Sequence, residues 1–287
     1  MIAAKDVRLI NSIAVLVALL MCVVSLAVGQ FPISVSDLLT LMRAAIFGGA
    51  ADVTTNADIV LFDIRLPRML AAFSVGAALA AAGAAYQNLF RNPLVSPDIL
   101  GVSSGAALGA VLAIYLTLPL LLIQLSAFVG GVVAVALIYL ISHFLDQRHV
   151  GDNNRVLTLV LTGVVIASLF GAGVALTKYL ADPYQQLPAI SYWLMGSFVG
   201  ITHKELAFAL PLMAIGLLPL FLLRWRINIL SLGDDEARAL GLNLAATRMV
   251  IIIAATLITA IAVAICGVVG WVGLIIPHAV KIGRAHV

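Results

Sequence analysis

The sequence contains little charge. Lys, Arg, Asp and Glu make up 10% of its 287 residues, whereas soluble domains carry roughly 25%. Hydrophobic residues account for 63% of the chain, and several uncharged runs reach the ~20 residues that a helix needs to cross a bilayer. Because these runs are continuous rather than alternating, the spans are expected to be helices rather than barrel strands. The composition therefore predicts an all-α, polytopic helical membrane protein.

Cysteine and catalytic motifs are scarce as well. The two cysteines, Cys22 and Cys266, lie inside apolar runs, where each is expected to be a small buried hydrophobic side chain. The five histidines form no HExxH motif, and no paired carboxylate completes a metal site. No phosphate-binding loop of the form GxxxxGKS or GxxxxGKT is present. We expect no enzyme activity, no cofactor and no metal site, and the basic residues, which sit in short loops, do not indicate nucleic-acid binding.

Ionisable residues are missing from the middle of the apolar runs. Each would cost about 2.5–3.5 kcal/mol at the centre of a span on the insertion scale. Proton- or sodium-coupled carriers usually hold such residues near the midplane, so their absence argues against a self-contained secondary carrier or channel. That class stays an alternative, because a site built from backbone carbonyls needs no charge. A purely structural membrane scaffold is a further alternative.

The apolar runs predict seven membrane spans and the beginning of an eighth. The first run is too long for a signal-peptide core and lacks a clear cleavage site, so we interpret it as a retained span. The predicted spans cover residues 9–29, 69–90, 99–118, 120–145, 156–177, 206–223 and 249–267, and the eighth begins near residue 270. The stretch 178–205 between two of these spans is too polar to cross.

The distribution of Lys and Arg gives an orientation. With a cytoplasmic N-terminus, nine of these residues fall on the inner side and five on the outer side. The inner set is Lys5, Arg8, Arg91, Arg148, Arg155, Arg224, Arg226, Arg238 and Arg248, and the outer set is Arg43, Arg65, Arg68, Lys178 and Lys204. Because cytoplasmic loops carry the excess of positive charge, we expect the N-terminus in the cytoplasm.

The most charged stretch, residues 224–248, lies between the sixth and seventh predicted spans, and we call it the polar segment. Its centre, GDDEARALG, predicts a short helix. Asp234, Asp235 and Glu236 occupy the first turn, where carboxylates suit the helix dipole, and Gly241 suits the C-terminal end. The orientation places this segment in the cytoplasm. It is either a solvated loop or a projecting element that another protein grips.

The third predicted span carries Gly101, Gly105 and Gly109 at every fourth position. A stripe of this kind lets a second helix backbone approach closely. We interpret it as a packing surface, which is more usual for such a pattern than a transport path.

Five motifs in order resemble a known family. They are IRLPR (64–68), NPLVSPDILGVSSGAALGA (92–110), LPAISYWLMGS (187–197), LGDDEARALGLN (232–243) and GWVGLIIPH (270–278). In order and spacing they are similar to the FecCD or BtuC-like permeases, which are the membrane subunits of binding-protein-dependent ABC importers for iron-siderophore complexes, haem and vitamin B12. The resemblance covers about residues 59–281.

This resemblance implies a ten-span BtuC-like fold. Residues 1–281 would supply about seven and a half of those spans as one permease domain, and we expect residues 282–287 to be a non-native tail. It also implies three kinds of protein partner and a membrane location. These are a second permease subunit (an identical copy or a close paralogue), two cytoplasmic ATP-binding subunits that hydrolyse ATP, a periplasmic or lipid-anchored substrate-binding protein, and the bacterial or archaeal cytoplasmic membrane.

The resemblance also assigns roles to individual residues. The coupling helix that contacts the ATP-binding subunit would contain Asp234, Asp235, Glu236, Arg238, Leu240 and Gly241. The substrate-binding protein would dock at Arg65 and Arg68 on the outer face. The fifth span and residues 178–193 would line or gate the outer end of the path. Helix packing or the path would involve Gly101, Gly105, Gly109, Gly163 and Trp193.

The leading functional hypothesis is a permease that carries a metal chelate, with a ferric siderophore as the first candidate. The same machine could carry cobalamin, haem or an oxyanion instead. A path that serves many chelates must bind each of them weakly, so we expect substrate specificity to reside mainly in the binding protein.

Overall fold

The computed structural model describes the backbone of residues 4–48, 55–146 and 155–285, and the side chains of residues 12–48, 56–145 and 157–280. All regular structure in these ranges is helical. The α-helices are α1 (Ala4–Ala27), α2 (Val35–Phe47), α3 (Thr55–Ile59), α4 (Leu66–Leu89), α5 (Val102–Tyr115), α6 (Leu120–Asp146), α7 (Arg155–Leu180), α8 (Gln186–Met195), α9 (His203–Leu222), α10 (Arg224–Leu230), α11 (Asp234–Ala239), α12 (Leu244–Cys266) and α13 (Val272–Ala285). A π-helical segment, Val60–Arg65, joins α3 to α4, and a 3₁₀ turn, Pro97–Leu100, precedes α5.

Five described helical stretches are long and apolar enough to cross a membrane. They are Asn56–Leu89, Leu120–Leu145, Leu157–Leu180, His203–Leu222 and Leu244–Cys266, and shorter apolar helices cover Ser12–Ala27 and Val102–Tyr115. The predicted helical membrane protein is confirmed. The last stretch, in α12, is 72% buried within the protein, whereas the stretch in α7 is only 17% buried. An apolar helix that is little buried by its own chain must be covered by lipid or by another protein.

The third predicted span differs from the observed helix. Residues 99–118 were expected as one helix, but α5 has 14 residues and begins only after Gly101. Gly101 adopts a left-handed conformation with φ 65°, which separates the 3₁₀ turn from α5. Thr117 has φ 54° and Pro119 follows, so the helix ends at Tyr115. The glycine stripe therefore begins at the N-cap of α5 rather than inside it.

Two compact units make up the chain. One comprises Met1–Ser74, Phe198–Ala207 and Val280–Val287, and the other Val75–Ser197 and Phe208–Ala279. The first unit has a small apolar core that includes Leu26, Leu38 and Leu61. In this unit α1, α2 and the π-helical segment are thus joined by buried side chains.

The second unit is organised around α5, α6 and α12. At Gly105 an added Cβ would overlap the carbonyl oxygen of Gly130, and at Gly109 it would overlap that of Ser126. We call this α5–α6 contact (Gly105, Gly109 and Gly130) the glycine seam. Only glycine allows two helix backbones to approach this closely. Beside the seam, Ala106 and Val263 belong to one fully buried apolar cluster that brings α12 against α5.

The last motif, GWVGLIIPH, packs against α4 in the second unit. Gly83 of α4 lies against the carbonyl of Gly273 in α13, and the Gln87 amide donates to the Leu274 carbonyl at 3.1 Å. Pro277 lies inside α13 and has no N–H, so the helix lacks one backbone hydrogen bond there. The hydrogen bond from Gln87 gives α13 an additional attachment near this position. Helix α13 continues to Ala285 and includes residues 282–285. Residues 286–287 of the expected tail lie outside the described residues.

The two cysteines differ. Cys266 is buried at the end of α12, as expected. Cys22 is only partly buried, and most of the described side chains of α1 around it are exposed.

Candidate functional site

The polar segment folds into two short helices, α10 and α11, which connect α9 to α12. The predicted helix is confirmed as Asp234–Ala239, with its acidic residues in the first turn. At its C-terminal end the Gly241 N–H donates to the Arg238 carbonyl at 2.9 Å, and the Leu242 N–H donates to the Ala237 carbonyl at 3.0 Å. This pair of bonds is a Schellman motif, which requires the positive φ of 76° that Gly241 adopts. Gly241 thus ends the helix where the sequence placed its end.

Helix α12 begins three residues after Gly241. The side chain of Asn243 accepts a hydrogen bond from the Ala246 N–H at 3.0 Å and so caps the first turn. At the other end of α11, Gly233 has φ 150° and precedes Asp234. The short helix is therefore bounded by a glycine on each side, and each of these glycines has a positive φ.

One face of α11 points outward. The side chain of Asp235 is 94% exposed, and Leu240 is 63% exposed. Arg238 is exposed and lies 3.5 Å from the Asp235 carboxylate. Glu236 is exposed too, although its carboxylate folds back over Gly233. This face therefore presents charged side chains beside an exposed leucine.

A second exposed leucine lies close to this helix in sequence. Leu232, just before α11, is 63% exposed. The sequence placed it within a family motif but gave it no role. The exposure of Leu232 could not be predicted from the sequence, because no helical or strand periodicity fixes the direction of an apolar side chain in a loop.

Asp234 points the other way. Its side chain is 23% exposed, and the Arg248 Nη2 lies 2.7 Å from Oδ1 and 2.8 Å from Oδ2. The Arg91 Nη2 lies 3.4 Å from the same Oδ1. We call these three residues the Asp234 cluster. It joins α11 to α12 and to the turn that follows α4.

Sequence reasoning missed Arg91 and Arg248 as partners of Asp234. Both appeared only in the count of inner-side positive charges. The cluster shows that the turn after α4 and the polar segment lie at the same end of the second unit. Arg91 adopts φ 51°, and the Asn92 side chain accepts a hydrogen bond from the Leu94 N–H at 2.9 Å, so local bonds hold this turn.

The 3₁₀ turn before α5 holds a second partly buried carboxylate, that of Asp98. The Ser103 hydroxyl donates a hydrogen bond to Asp98 across the start of α5. Burial raises the pKa of the Asp98 carboxyl above its ordinary value, and the bond from Ser103 offsets part of that rise. Among the described side chains, no group of three His, Cys, Asp or Glu residues could hold a metal ion.

The packing or path candidates lie in the second unit, in a set separate from the Asp234 cluster. Gly105 and Gly109 form the glycine seam, and a Cβ on Gly163 would overlap the Ile99 carbonyl. Trp193 of α8 is partly buried and packs against two apolar clusters, one of which contains Val263 and the other Ile190. Each of these residues makes a close contact between elements of the bundle.

Arg65 and Arg68 are bound to backbone carbonyls within the first unit. The Arg65 guanidinium donates to the Leu26 carbonyl at 2.6 Å and the Ala27 carbonyl at 3.0 Å, and also to that of Phe31. These oxygens belong to the end of α1 and the turn beyond it, so Arg65 acts as a C-terminal cap. Arg68 donates to the Val199 carbonyl at 2.8 Å.

The fold and this site define a polytopic helical membrane protein with a small polar helix anchored at one end of its bundle. Known proteins share both the sequence and the fold. Residues 16–286 match the FecCD transport family. The molybdate import system permease protein MolB of Haemophilus influenzae is 39% identical over 263 residues, covering 92% of this chain and 76% of that protein. The hemin transport system permease protein HmuU of Yersinia pestis is 38% identical, covering 79% of this chain and 68% of that protein.

A solved structure agrees. It is described as an inward-facing conformation of an ABC transporter of the metal-chelate type, and it superposes with a TM-score of 0.79 at 37% identity. The match covers 93% of this chain and 79% of that chain. The protein belongs to the FecCD transport family.

Proposed function

We propose that this chain is the membrane-spanning permease subunit of an ATP-driven importer. The family and the relatives, which are permeases of import systems, support this proposal. The complete machine would pair the chain with a second permease subunit, either an identical copy or a close paralogue. Two ATP-binding subunits would attach on the cytoplasmic side, where the N-terminus also lies, and a substrate-binding protein would dock outside.

The observation that carries the coupling role is the outward face of α11. Leu232 and Leu240 are exposed on either side of a helix that also presents Asp235, Glu236 and Arg238. An apolar anchor surrounded by charge fits a cleft in a partner protein better than it fits solvent. We infer that this face contacts the ATP-binding subunit. Gly241 contributes by ending the helix, which leaves Leu240 at its exposed tip.

The proposed mechanism is alternating access driven by ATP. Closure of the two ATP-binding subunits would move α11, and the attached spans would tilt to open the path to one side and then to the other. The glycine seam would keep α5 and α6 together during this motion, because their backbones are in contact. Helix α7 and residues 178–193 would line or gate the outer end of the path.

Docking of the substrate-binding protein at the outer face is a further part of the proposal. Arg65 supports that surface by holding the end of α1, because its guanidinium already binds three carbonyls. Arg68 lies on the same face and binds Val199. Acidic side chains on the binding protein would meet the positive potential of these two residues.

The substrate would be a metal chelate or an oxyanion. Relatives are described as permeases for molybdate, iron chelatin, cobalamin and hemin. A ferric siderophore is our first candidate, and molybdate, cobalamin and haem are the alternatives. Affinity measurements on the cognate binding protein with these four ligands would decide among them.

The coupling role can be tested by neutralising the outward face. In the assembled importer, the double variant Glu236→Gln, Arg238→Gln should reduce co-purification of the ATP-binding subunit with the permease. Lys204→Gln is the control, because Lys204 is also exposed but lies in the first turn of α9, at the end of that helix opposite α10. Unchanged co-purification and uptake in the double variant would show that the coupling assignment is wrong.

A further inference from the structure

Asp234 and Asp235 are neighbours in sequence but differ sharply in their surroundings. Asp235 is 94% exposed and its carboxylate lies 3.5 Å from Arg238 of the same helix. Asp234 is 23% exposed and both of its oxygens are engaged by Arg248, which is itself 20% exposed. A carboxylate that is turned inward and held by two arginines is not available to a partner protein. Its role must lie within the chain.

The Asp234 cluster connects three segments that are far apart in sequence. Arg248 belongs to the first turns of α12, and Arg91 belongs to the turn after α4. Charge-assisted bonds of 2.7 and 2.8 Å in a partly buried setting are among the stronger polar contacts in proteins. A displacement of the Asp234 carboxylate therefore acts on α12 directly and on the turn after α4 through Arg91.

The backbone on either side of α11 passes through a glycine. Gly233 precedes the helix with φ 150°, and Gly241 follows it with φ 76°. The Asp234 cluster adds a direct connection between side chains to these two backbone links. Helix α12, in contrast, is the most completely buried of the long apolar helices described, at 72%. The cluster ties a small helix between glycine links to this buried one.

We propose that Asp234 is a positioning residue that clamps α11 to α12 and to the turn after α4, so that a movement imposed on α11 reaches the membrane spans. It does not contact the ATP-binding subunit. This inference rests on the proposed coupling function, and it replaces the expected contact role of Asp234. Loss of the clamp should let α11 move with its partner while the spans stay behind.

The clamp can be tested in the assembled importer with two spin labels. One label replaces Leu94, which is 70% exposed in the turn after α4, and the other replaces Ala239, the exposed last residue of α11. The parent should give the same label-to-label distance without nucleotide and with ATP–vanadate. In Asp234→Asn, nucleotide should shift the mean distance by about 2 Å, the scale of interface helix movements, while the ATP-binding subunit still co-purifies. Asp58→Asn is the control, because it removes an exposed carboxylate of α3, outside the polar segment, and should leave the distance fixed.

Two results would overturn the clamp. One is an Asp234→Asn variant whose label-to-label distance is the same without nucleotide and with ATP–vanadate. The other is loss of the ATP-binding subunit in that variant, which would make Asp234 a contact residue. If Asp234→Asn does not fold, Arg248→Met breaks the same pair from α12 and is judged by the same criteria. Failure of the coupling function itself would look different, because the ATP-binding subunit would then co-purify normally with variants of Glu236, Arg238 and Leu240.

Discussion

At the glycine seam, backbone meets backbone, and the contact leaves no room for a side chain on Gly105 or Gly109. At α11, by contrast, the Asp234 cluster and the buried side chain of Ala237 hold a helix whose other side chains are exposed. The seam is built so that α5 and α6 cannot separate or slide without loss of close packing. Helix α11 is attached to α12 and to the turn after α4 through the Asp234 cluster, and most of its other side chains are exposed. The proposed coupling role needs both properties, because a rigid bundle would have to receive force at a defined point.

The largest expected effect comes from filling the seam. Gly105→Leu should destabilise the protein by about 3 kcal/mol or more, because a side chain there must push α6 away from α5. Gly171→Leu in α7 is the control, since nothing lies within 4 Å of a Cβ at that position. Thermal unfolding followed by size-exclusion chromatography in detergent measures both variants. Equal stability of the two variants would show that the seam is not rigid.

The next effect concerns the exposed face of α11. Leu240→Ser should weaken binding of the ATP-binding subunit about 30-fold, the loss expected when an interface anchor worth about 2 kcal/mol is removed. Leu116→Ser is matched in exposure, at 62% against 63%, but follows α5 rather than α11. Titration of the ATP-binding subunit against each reconstituted variant gives the two affinities. Similar affinities of the Leu240→Ser and Leu116→Ser variants would show that Leu240 is not an interface anchor.

A smaller effect is expected at the glycine that ends α11. Gly241→Ala should cost about 1.5 kcal/mol, because a residue with a Cβ is strained at the positive φ that the Schellman motif requires. The control is Gly200→Ala, at a glycine with no atoms within 4 Å of an added Cβ and no left-handed φ. Hydrogen exchange of the α11 amides should speed up in the first variant only. Equal exchange in both would mean that the C-terminal motif does not hold α11.

The smallest effect is at the cap of α12. Asn243→Ala should cost about 1 kcal/mol through loss of the bond to the Ala246 N–H. Asn243→Asp keeps an acceptor at the same place and should be close to neutral. The expected readout is roughly fivefold faster exchange of the first-turn amides of α12 in the alanine variant, the factor that corresponds to about 1 kcal/mol. Faster exchange in both variants would point to a role of the amide other than capping.

Local signals in the sequence predicted much of this structure. Length and hydropathy located the spans, because a helix in lipid must satisfy its own backbone. The acidic first turn and Gly241 located α11, because both act within a few residues. The prediction of one helix over residues 99–118 was wrong for a local reason. Gly101 adopts a left-handed conformation that interrupts the helix, and the sequence does not show which of its allowed conformations a glycine takes.

Long-range contacts could not be predicted in the same way. Asp234 and Asp235 look alike in sequence, and only the folded chain shows that Arg248 and Arg91 reach the first and not the second. The sequence predicts Arg65 as a docking residue on the outer face, yet its guanidinium binds the carbonyl of Leu26, 39 residues earlier in the chain. Such pairings depend on how helices are arranged in space, which one sequence does not specify by periodicity or propensity.

The most direct test of the central claim is a photo-crosslinker placed at Leu240 in the assembled importer. If α11 is the element that receives force from ATP, the label at Leu240 should form an adduct with the ATP-binding subunit, and a label at Leu116 should form none. An adduct of equal yield from both positions, or none from Leu240 while the complex stays intact, would contradict the account.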